Sequence, residues 1–506
     1  MHLNEYIASF DIGTTGCKGT LVGRDGRLDY EAEVPVETLF GKGDPAARDQ
    51  RTVEQHPEQW LEAVASIARS WWAAGVRPEQ VRIVAMSGQM QDVIPVGSDG
   101  LPVRPAILYS DARAAEQAER IACELGEATI REVTGNHMDG SIPLAKLLWM
   151  KEREPELMAA SDRILFSSKD YVIRRLTGRY VTDPTSAATS GLMELSGRTW
   201  RSDWLERLGL DPAKLPDLLA TDDIAGEVHA EAAALTGFAA GTPVLCGIGD
   251  AGASTLGAGV AERGDMYVYL GTTGWVAASV ERPGHHADGL FHLAHAERGL
   301  LIAIAPLMNA GNAHKWAVSV FGGGAEGQDA YAAFEREAAS FDRAAGEVLF
   351  LPYLNGERCP VQDASASGSF VGLRTTTTRA EMGCAVLEGV ALAMRQVMEI
   401  LSGGRLPERL TLIGGGSRSD TWCRIFADVC GAEVTVPGDA QYLPALGCAS
   451  AGFVRLGWAD SYADFTRRVL HTRPSVTYAP DAANAAAYER KYAKYVKLYP
   501  ALAELF

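Results

Sequence analysis

The tetrapeptide Gly-Thr-Thr-Gly occurs twice, beginning at Gly13 and at Gly271, so the copies stand about half of the 506-residue chain apart. Each copy joins two runs that read as strands: FDI and CKGTLV flank the first, MYVYL and WVAASV the second. Glycine permits positive φ and close backbone approach, and threonine adds hydroxyl donors. A tight hairpin of this kind can turn several N–H groups toward one point, which suits phosphate oxygens. Either copy alone also reads as a plain hairpin turn. Two copies, each at the head of its own half, predict two related domains facing one cleft. The length agrees, since a chain of this size exceeds what one core holds. Neither turn is a Walker P-loop. GTTGCKG lacks the G-x-x-x-x-G-K-[ST] spacing, and a strand follows where a helix should start.

The rest of the pattern is α/β. Alternation predicts a β-meander over the first 35 residues, then a helix over 54–75 in which Trp60, Val64, Ile67 and Trp71 recur at helical spacing. VRIVAMSG reads as the next strand. Helices are expected over Ala112 to Leu125, Lys169 to Leu176 and 379–401, and loops with short strands over the Thr/Ser/Gly-rich stretch near 180–200. LTLIGGGSRSDTWCRIFADVCG reads as strand, glycine turn and helix.

Three places carry chemistry. Asp11 ends the first strand, on a face with Ile7 and Ser9, two residues before the first turn. A carboxylate beside a phosphate hairpin suits Mg²⁺, directly or through water. The alternative is an Asx cap of the turn. At Gly414, Gly415 and Gly416 a backbone can lie flat against an adenosine, with a helix N-terminus nearby. The third place is VLCGIGDAGAS (244–254), where Gly247, Gly249 and Gly252 spell G-x-G-x-x-G. A dinucleotide fold needs a full βαβ unit and an acid about 20 residues on. Here the next strand ends in Gly271 and turns into a hairpin. The glycines are better read as baring the backbone around Asp250, a general base at a strand end.

Bulk properties narrow the partners. The formal charge of −17 argues against nucleic acid and anionic membranes. The eight cysteines are scattered without a C-x-x-C, as in a reduced protein with mostly buried thiols. MHLNEYIASFDIG runs straight into a strand and has no signal-peptide pattern, and LLIAIAPLM (300–308) is too short to span a bilayer. A cytoplasmic location is expected.

With Asp11-x-Gly-Thr-Thr-Gly, Gly-Asp250, Gly271-Thr-Thr-Gly and Gly414-Gly-Gly-Ser in this order, the chain resembles the FGGY carbohydrate kinases. SIPLAKLLWMKE (141–152) and SGSFVGLRTTTTRAEMGCAVLEG (367–389) are similar to the two family signatures, and the resemblance covers essentially the whole chain. It implies two actin-like, ribonuclease H-like ATPase domains with an interdomain catalytic cleft. We expect an N-terminal sugar-binding domain over 1–245 and a C-terminal ATP-binding domain over 246–506.

The branch it looks most like is that of the xylulokinases, through VEQHPEQW (53–60), SGQMQD (87–92), RPAILYSDAR (104–113), TGN (134–136) and FLPYLNGERCP (350–360). The implied reaction moves the γ-phosphate of ATP, with Mg²⁺, to a primary hydroxyl of a ketopentose, D-xylulose first. L-xylulose, ribulose, gluconate or erythritol are alternatives, because Gln91, Ser110 and Ala251 depart from the usual xylulokinase pattern. The implied roles are Asp250 as base and acceptor contact, Asp11 for Mg²⁺, and Thr14, Thr15, Gly271, Thr272 and Thr273 for the phosphates. Gly311, Gly414, Gly415, Gly416 and Ser419 hold the adenosine, and Gln89, Met90, Gln91 and Asp111 the sugar. Lys18 reaches a phosphate or faces solvent. Lys315 and Ser419 stand where relatives often carry amides. The resemblance admits a homodimer, although no interface patch is legible. An actin-like ATPase switch and a sugar-sensing pseudokinase are the rival classes.

Overall fold

The computed structural model describes residues 4–41, 52–283, 289–321 and 327–506. The first three residues of the N-terminal stretch read above lie outside them.

The doubled hairpin heads two sheets of the same plan. In the first, Tyr6–Ile12 pairs antiparallel with Gly16–Gly23, which pairs antiparallel with Leu28–Pro35. On its other side Tyr6–Ile12 pairs in parallel with Val81–Gly88, and Pro243–Leu245 and Ile248–Gly249 both pair in parallel with that strand. In the second sheet Met266–Leu270 pairs antiparallel with Gly274–Val280 across the second GTTG turn. It pairs in parallel with Arg409–Ile413, which pairs in parallel with Glu433–Pro437. A hairpin followed by a crossover to a parallel strand is thus built twice, as the repeat predicts.

The helix Glu58–Ala73 buries Trp60, Val64, Ile67 and Trp71, the stripe read from their spacing. The helix Arg379–Ser402 starts at Thr378, whose Oγ1 accepts from the amide of Glu381, and stops at Gly403 with φ of 69°. One expectation changes. The stretch near 180–200 contains a short helix, Pro184–Ala188, because Asp183 caps it through the amides of Thr185 and Ser186 and proline suits its first turn.

The backbone divides into two compact units. The first comprises Met1–Ala261, His292–Leu301 and Gln441–Thr472, and the second Glu262–Phe291, Ile302–Ala440 and Arg473–Phe506. A single cut at 245/246 was expected, yet Asp250–Gly257 packs in the first unit, against the helix Leu443–Arg455. The cause is small residues far apart in sequence. A Cβ at Gly257 would lie 1.9 Å from the carbonyl of Leu443, and one at Gly447 1.9 Å from that of Ala253. All eight cysteines are unpaired and seven are buried. Among the described residues no helix is long and apolar enough to cross a membrane.

Candidate functional site

In the first unit the GTTG turn is braced by side-chain amides. Thr14 Oγ1 donates to Gln89 Oε1 at 2.8 Å, and Gln89 Nε2 donates to Gln55 Oε1 at 2.8 Å. Gln55 Nε2 returns to the carbonyl of Thr14 at 2.7 Å, and Trp60 Nε1 closes on Gln55 at 2.9 Å. This ring fixes the turn and leaves Thr15 exposed. The side chain of Gln89, expected at the sugar, is 1% exposed and has both of its ends engaged in this ring.

Asp11 sits opposite Lys18 in the antiparallel ladder and opposite Ser87 in the parallel one. Lys18 therefore shares the face of Asp11. Ser87 Oγ donates to Asp11 Oδ1 at 2.7 Å. Burial raises the Asp11 carboxyl, and the Ser87 bond and the Lys18 charge work against that rise. Among the described residues no three of His, Cys, Asp or Glu converge on one point. Mg²⁺ suits such a place, since it keeps waters and substrate phosphates and needs only one or two carboxylates. Asp11, with Oδ2 not engaged by Ser87, fits that donor set.

Asp250 is the first residue of the helix Asp250–Gly257 and is partly buried. Its Oδ1 accepts from the amide of Ala251 at 2.7 Å. Burial pushes its carboxyl up to about 7, helped by the charges of Asp11 and Asp183. The surrounding glycines have packing reasons and no dinucleotide to hold. Gly247 has φ of 70°, and a Cβ there would meet the carbonyl of Met86 at 2.1 Å. At Gly249 a Cβ would lie 1.9 Å from Met90 Sδ, and at Gly252 one would press on Ile248. Met90 thus lies against the backbone just before Asp250. Gly249→Ala is expected to displace Met90, and the overpacking should cost about 1–3 kcal/mol of stability. Urea denaturation of the variant and the parent measures that cost.

Gln91 carries a positive φ of 65°, uncommon for a residue with a Cβ. Two contacts hold it there. Its Nε2 donates to Ser141 Oγ at 2.8 Å, and Lys146 Nζ donates to its carbonyl at 3.3 Å. Strain of this kind persists where the surroundings over-determine it. Asp111, also expected at the sugar, is held by its neighbours. It is fully buried, its Oδ1 accepts from Arg113, and its Oδ2 accepts from the amide of Val53 at 2.7 Å and from Arg113 at 2.5 Å. It tethers a strand to an arginine, and its oxygens are taken.

A buried ion cluster that the sequence did not suggest stands behind Asp250. Lys169 Nζ lies 2.6 Å from Asp170 and 2.9 Å from Asp183, with all three side chains fully buried. Asp183 Oδ2 also accepts from the amide of Gly249 at 3.4 Å. Charged residues at the start of a helix ordinarily read as a solvated turn, so only the fold brings these together.

In the second unit a cavity of about 640 Å³ is lined by Gly271, Thr272, Gly311, Gly415, Gly416 and Ser419. The second hairpin and the triple-glycine turn therefore share one hollow. The amides of Gly311 and Asn312 donate to the carbonyls of Gly271 and Thr272, both at 2.9 Å, and a Cβ at Gly311 would meet the Gly271 carbonyl at 2.3 Å. Thr272 and Thr273 are exposed. Gly414, with φ of 94°, lets its strand end close on the carbonyl of Leu270. Ser419 has a structural task as well, its Oγ accepting from the amide of Trp422 at 3.0 Å to cap a helix. Tyr269, His314, Lys315, Tyr331 and Glu335 complete much of the wall.

Comparison with known proteins follows the same lines. The N-terminal domain model of the FGGY family of carbohydrate kinases matches residues 6–257, and its C-terminal domain model matches 266–456. The chain is 31% identical to the xylulose kinase of Escherichia coli (strain K12), over 98% of this chain and 99% of that one. It is 27% identical to the gluconokinase of Bacillus subtilis (strain 168), over 91% and 89%. The structure of a xylulose kinase from Rhodospirillum rubrum superposes with a TM-score of 0.86 at 28% identity, over 99% of both chains.

Proposed function

This chain belongs to the FGGY family of carbohydrate kinases, a sugar kinase that uses ATP, and from that premise we propose that its acceptor is an uncharged ketopentose, D-xylulose foremost. The observation that carries the choice over an acid such as gluconate is the state of the buried cations. Lys146 is spent on the carbonyls of Leu108 and Gln91, Arg113 on Asp111 and Glu54, and Lys169 on Asp170 and Asp183. Asp250 stands within range of the charges of Asp11 and Asp183. A sugar carboxylate would add a further negative charge beside these acids.

In this reading Met90 and Gln91 orient the sugar, and Asp250 takes the proton of a primary hydroxyl as that oxygen attacks the γ-phosphorus. The new P–O bond forms as the bond to ADP breaks. Thr14, Thr15, Lys18, Gly271, Thr272 and Thr273 are the groups assigned to phosphate oxygens. Gly311, Gly414, Gly415, Gly416 and Ser419 frame the adenosine. Asp11 would hold Mg²⁺, which neutralises phosphate charge when bound. Positioning and charge neutralisation supply most of such a rate enhancement.

A coupled ADP-release assay over D-xylulose, L-xylulose, ribulose, erythritol, glycerol and gluconate tests the acceptor. D-xylulose is expected to give the highest kcat/KM, with gluconate lower by about 100-fold or more. Gluconate as the best acceptor would overturn the choice, and slow sugar-independent hydrolysis would point to an ATPase switch instead.

A further inference from the structure

One end of the Gln91 amide is fixed by residues to which no part of the reaction has been given. Gln91 Nε2 lies 2.8 Å from Ser141 Oγ and 3.3 Å from the carbonyl of Ser141. Ser141 Oγ in turn donates to Asp139 Oδ1 at 2.5 Å, and the amide of Ser141 donates to the same oxygen at 2.7 Å. The other oxygen, Oδ2, pairs with His137 Nε2 at 3.0 Å. Burial pushes the Asp139 carboxyl up, but the bonds from His137 and Ser141 outweigh it and hold the group at about 2. Asp139 is therefore an ionised acceptor throughout the neutral range. A hydroxyl has one proton, and that of Ser141 is committed to Asp139. Toward Gln91, Ser141 offers lone pairs only, from Oγ and from its carbonyl. The end of the amide that meets it must be the NH₂, so Oε1 points the other way.

Both chain neighbours of Gln91 lie by Asp250. Met90 packs on the backbone of Gly249, and the charge of Asp250 reaches the buried carboxyl of Asp92. Gln91 itself is only partly buried, and among the described residues no donor meets its Oε1. We propose that Asp139, acting through Ser141, is a positioning residue for the acceptor sugar: it fixes the direction of the Gln91 amide, so that position 91 presents an acceptor and selects a substrate hydroxyl that donates. The inference rests on the reading of Gln91 as a sugar contact. A substrate that offers only an acceptor at that point, such as a carboxylate oxygen, would meet Oε1 lone pair to lone pair.

The test is a double-mutant cycle on the full chain, read by steady-state kinetics with ATP and D-xylulose. Gln91→Met keeps the length of the side chain, removes both polar ends, and should raise the KM of D-xylulose by roughly 10- to 100-fold with a smaller change in kcat. Asp139→Asn can turn its NH₂ to Ser141 Oγ, which frees the hydroxyl proton to point at Gln91 and lets the amide reverse. It should raise the same KM by about 3- to 10-fold and leave ADP affinity, by calorimetry, within about twofold. Ser141→Ala removes the link and keeps the carboxylate, and should give a shift of the same size. Because Asp139 acts only through Gln91, Gln91→Met/Asp139→Asn should be no worse than Gln91→Met alone. KM effects that multiply in the double variant, or a lowered melting temperature in Asp139→Asn with an unmoved KM, overturn the assignment. An unchanged KM in Gln91→Met removes Gln91 from the sugar site and this inference with it. If the unaltered protein phosphorylates another sugar and not D-xylulose, the choice of acceptor falls, and the same cycle on that sugar decides the role of Asp139.

Discussion

Asp250→Asn is expected to lower kcat by roughly 10²- to 10⁴-fold while ADP affinity stays nearly constant. The asparagine keeps the size of the side chain and can still meet the amide of Ala251, so the loss isolates proton acceptance. Near-normal turnover would remove Asp250 from the role of base. The same substitution makes a second, opposite prediction about stability. The folded protein holds the Asp250 proton up to about pH 7, whereas an unfolded chain releases it near the ordinary value of 3.8. Stability therefore falls as pH rises between those values, and the cost is complete above about 7. Its upper bound is ~4 kcal/mol, less whatever solvent reaches a partly buried group. Asp250→Asn should match the parent near pH 4 and melt several degrees higher at pH 8. In the parent, kcat/KM should climb through pH 7 as the carboxyl ionises. A flat profile there would show that another group limits the reaction.

What the sequence made legible was what the backbone alone decides. The two GTTG turns sit between antiparallel strands because glycine and the flanking alternation leave little else for them to do. The helix stripe from Trp60 to Trp71 is buried because its period matches one helix face. Where tertiary partners decide, the spacing was silent. Gln89 and Asp111 look like acceptor contacts by position. Thr14 and Gln55 claim the first, and Val53 and Arg113 the second, and none of these partners can be inferred from spacing. Asp250 was expected in the C-terminal half. Gly257 and Gly447, 190 residues apart, set its helix against another and draw it into the first unit. The glycines around Asp250 mimicked a dinucleotide clamp for a similar reason. Their small size answers Met90, Ile248 and the Met86 carbonyl, which only the fold brings near.

The buried cluster behind Asp250 is where substitution should damage the fold most. Lys169→Met keeps the length of the side chain and removes its charge. Asp170 and Asp183, both fully buried, would then face each other without the cation that lies within 2.9 Å of each. Breaking a buried pair by deleting one partner typically costs about 3–5 kcal/mol, because a charge is stranded in a poorly solvating interior. Burial alone would depress the Lys169 ammonium. The charges of Asp170 and Asp183 more than reverse that and hold it well above the usual lysine range, so the parent keeps this cation across the whole working pH. The variant should therefore show a steeper pH dependence than the parent: protonating Asp170 relieves the repulsion, so the deficit in urea midpoint should narrow toward acid. Lys169→Met/Asp170→Asn, which removes both charges of the closer pair, should regain part of the loss at pH 8. Function would follow through Asp183, which caps Pro184–Ala188 and accepts from the amide of Gly249. If Asp183 turns toward Asp170's vacated partner, the backbone immediately before Asp250 shifts, and kcat should fall more than the affinity for ADP. A Lys169→Met protein that unfolds at the parent's urea midpoint, at both acid and alkaline pH, would show that the cluster contributes no net stability and does not position Asp250.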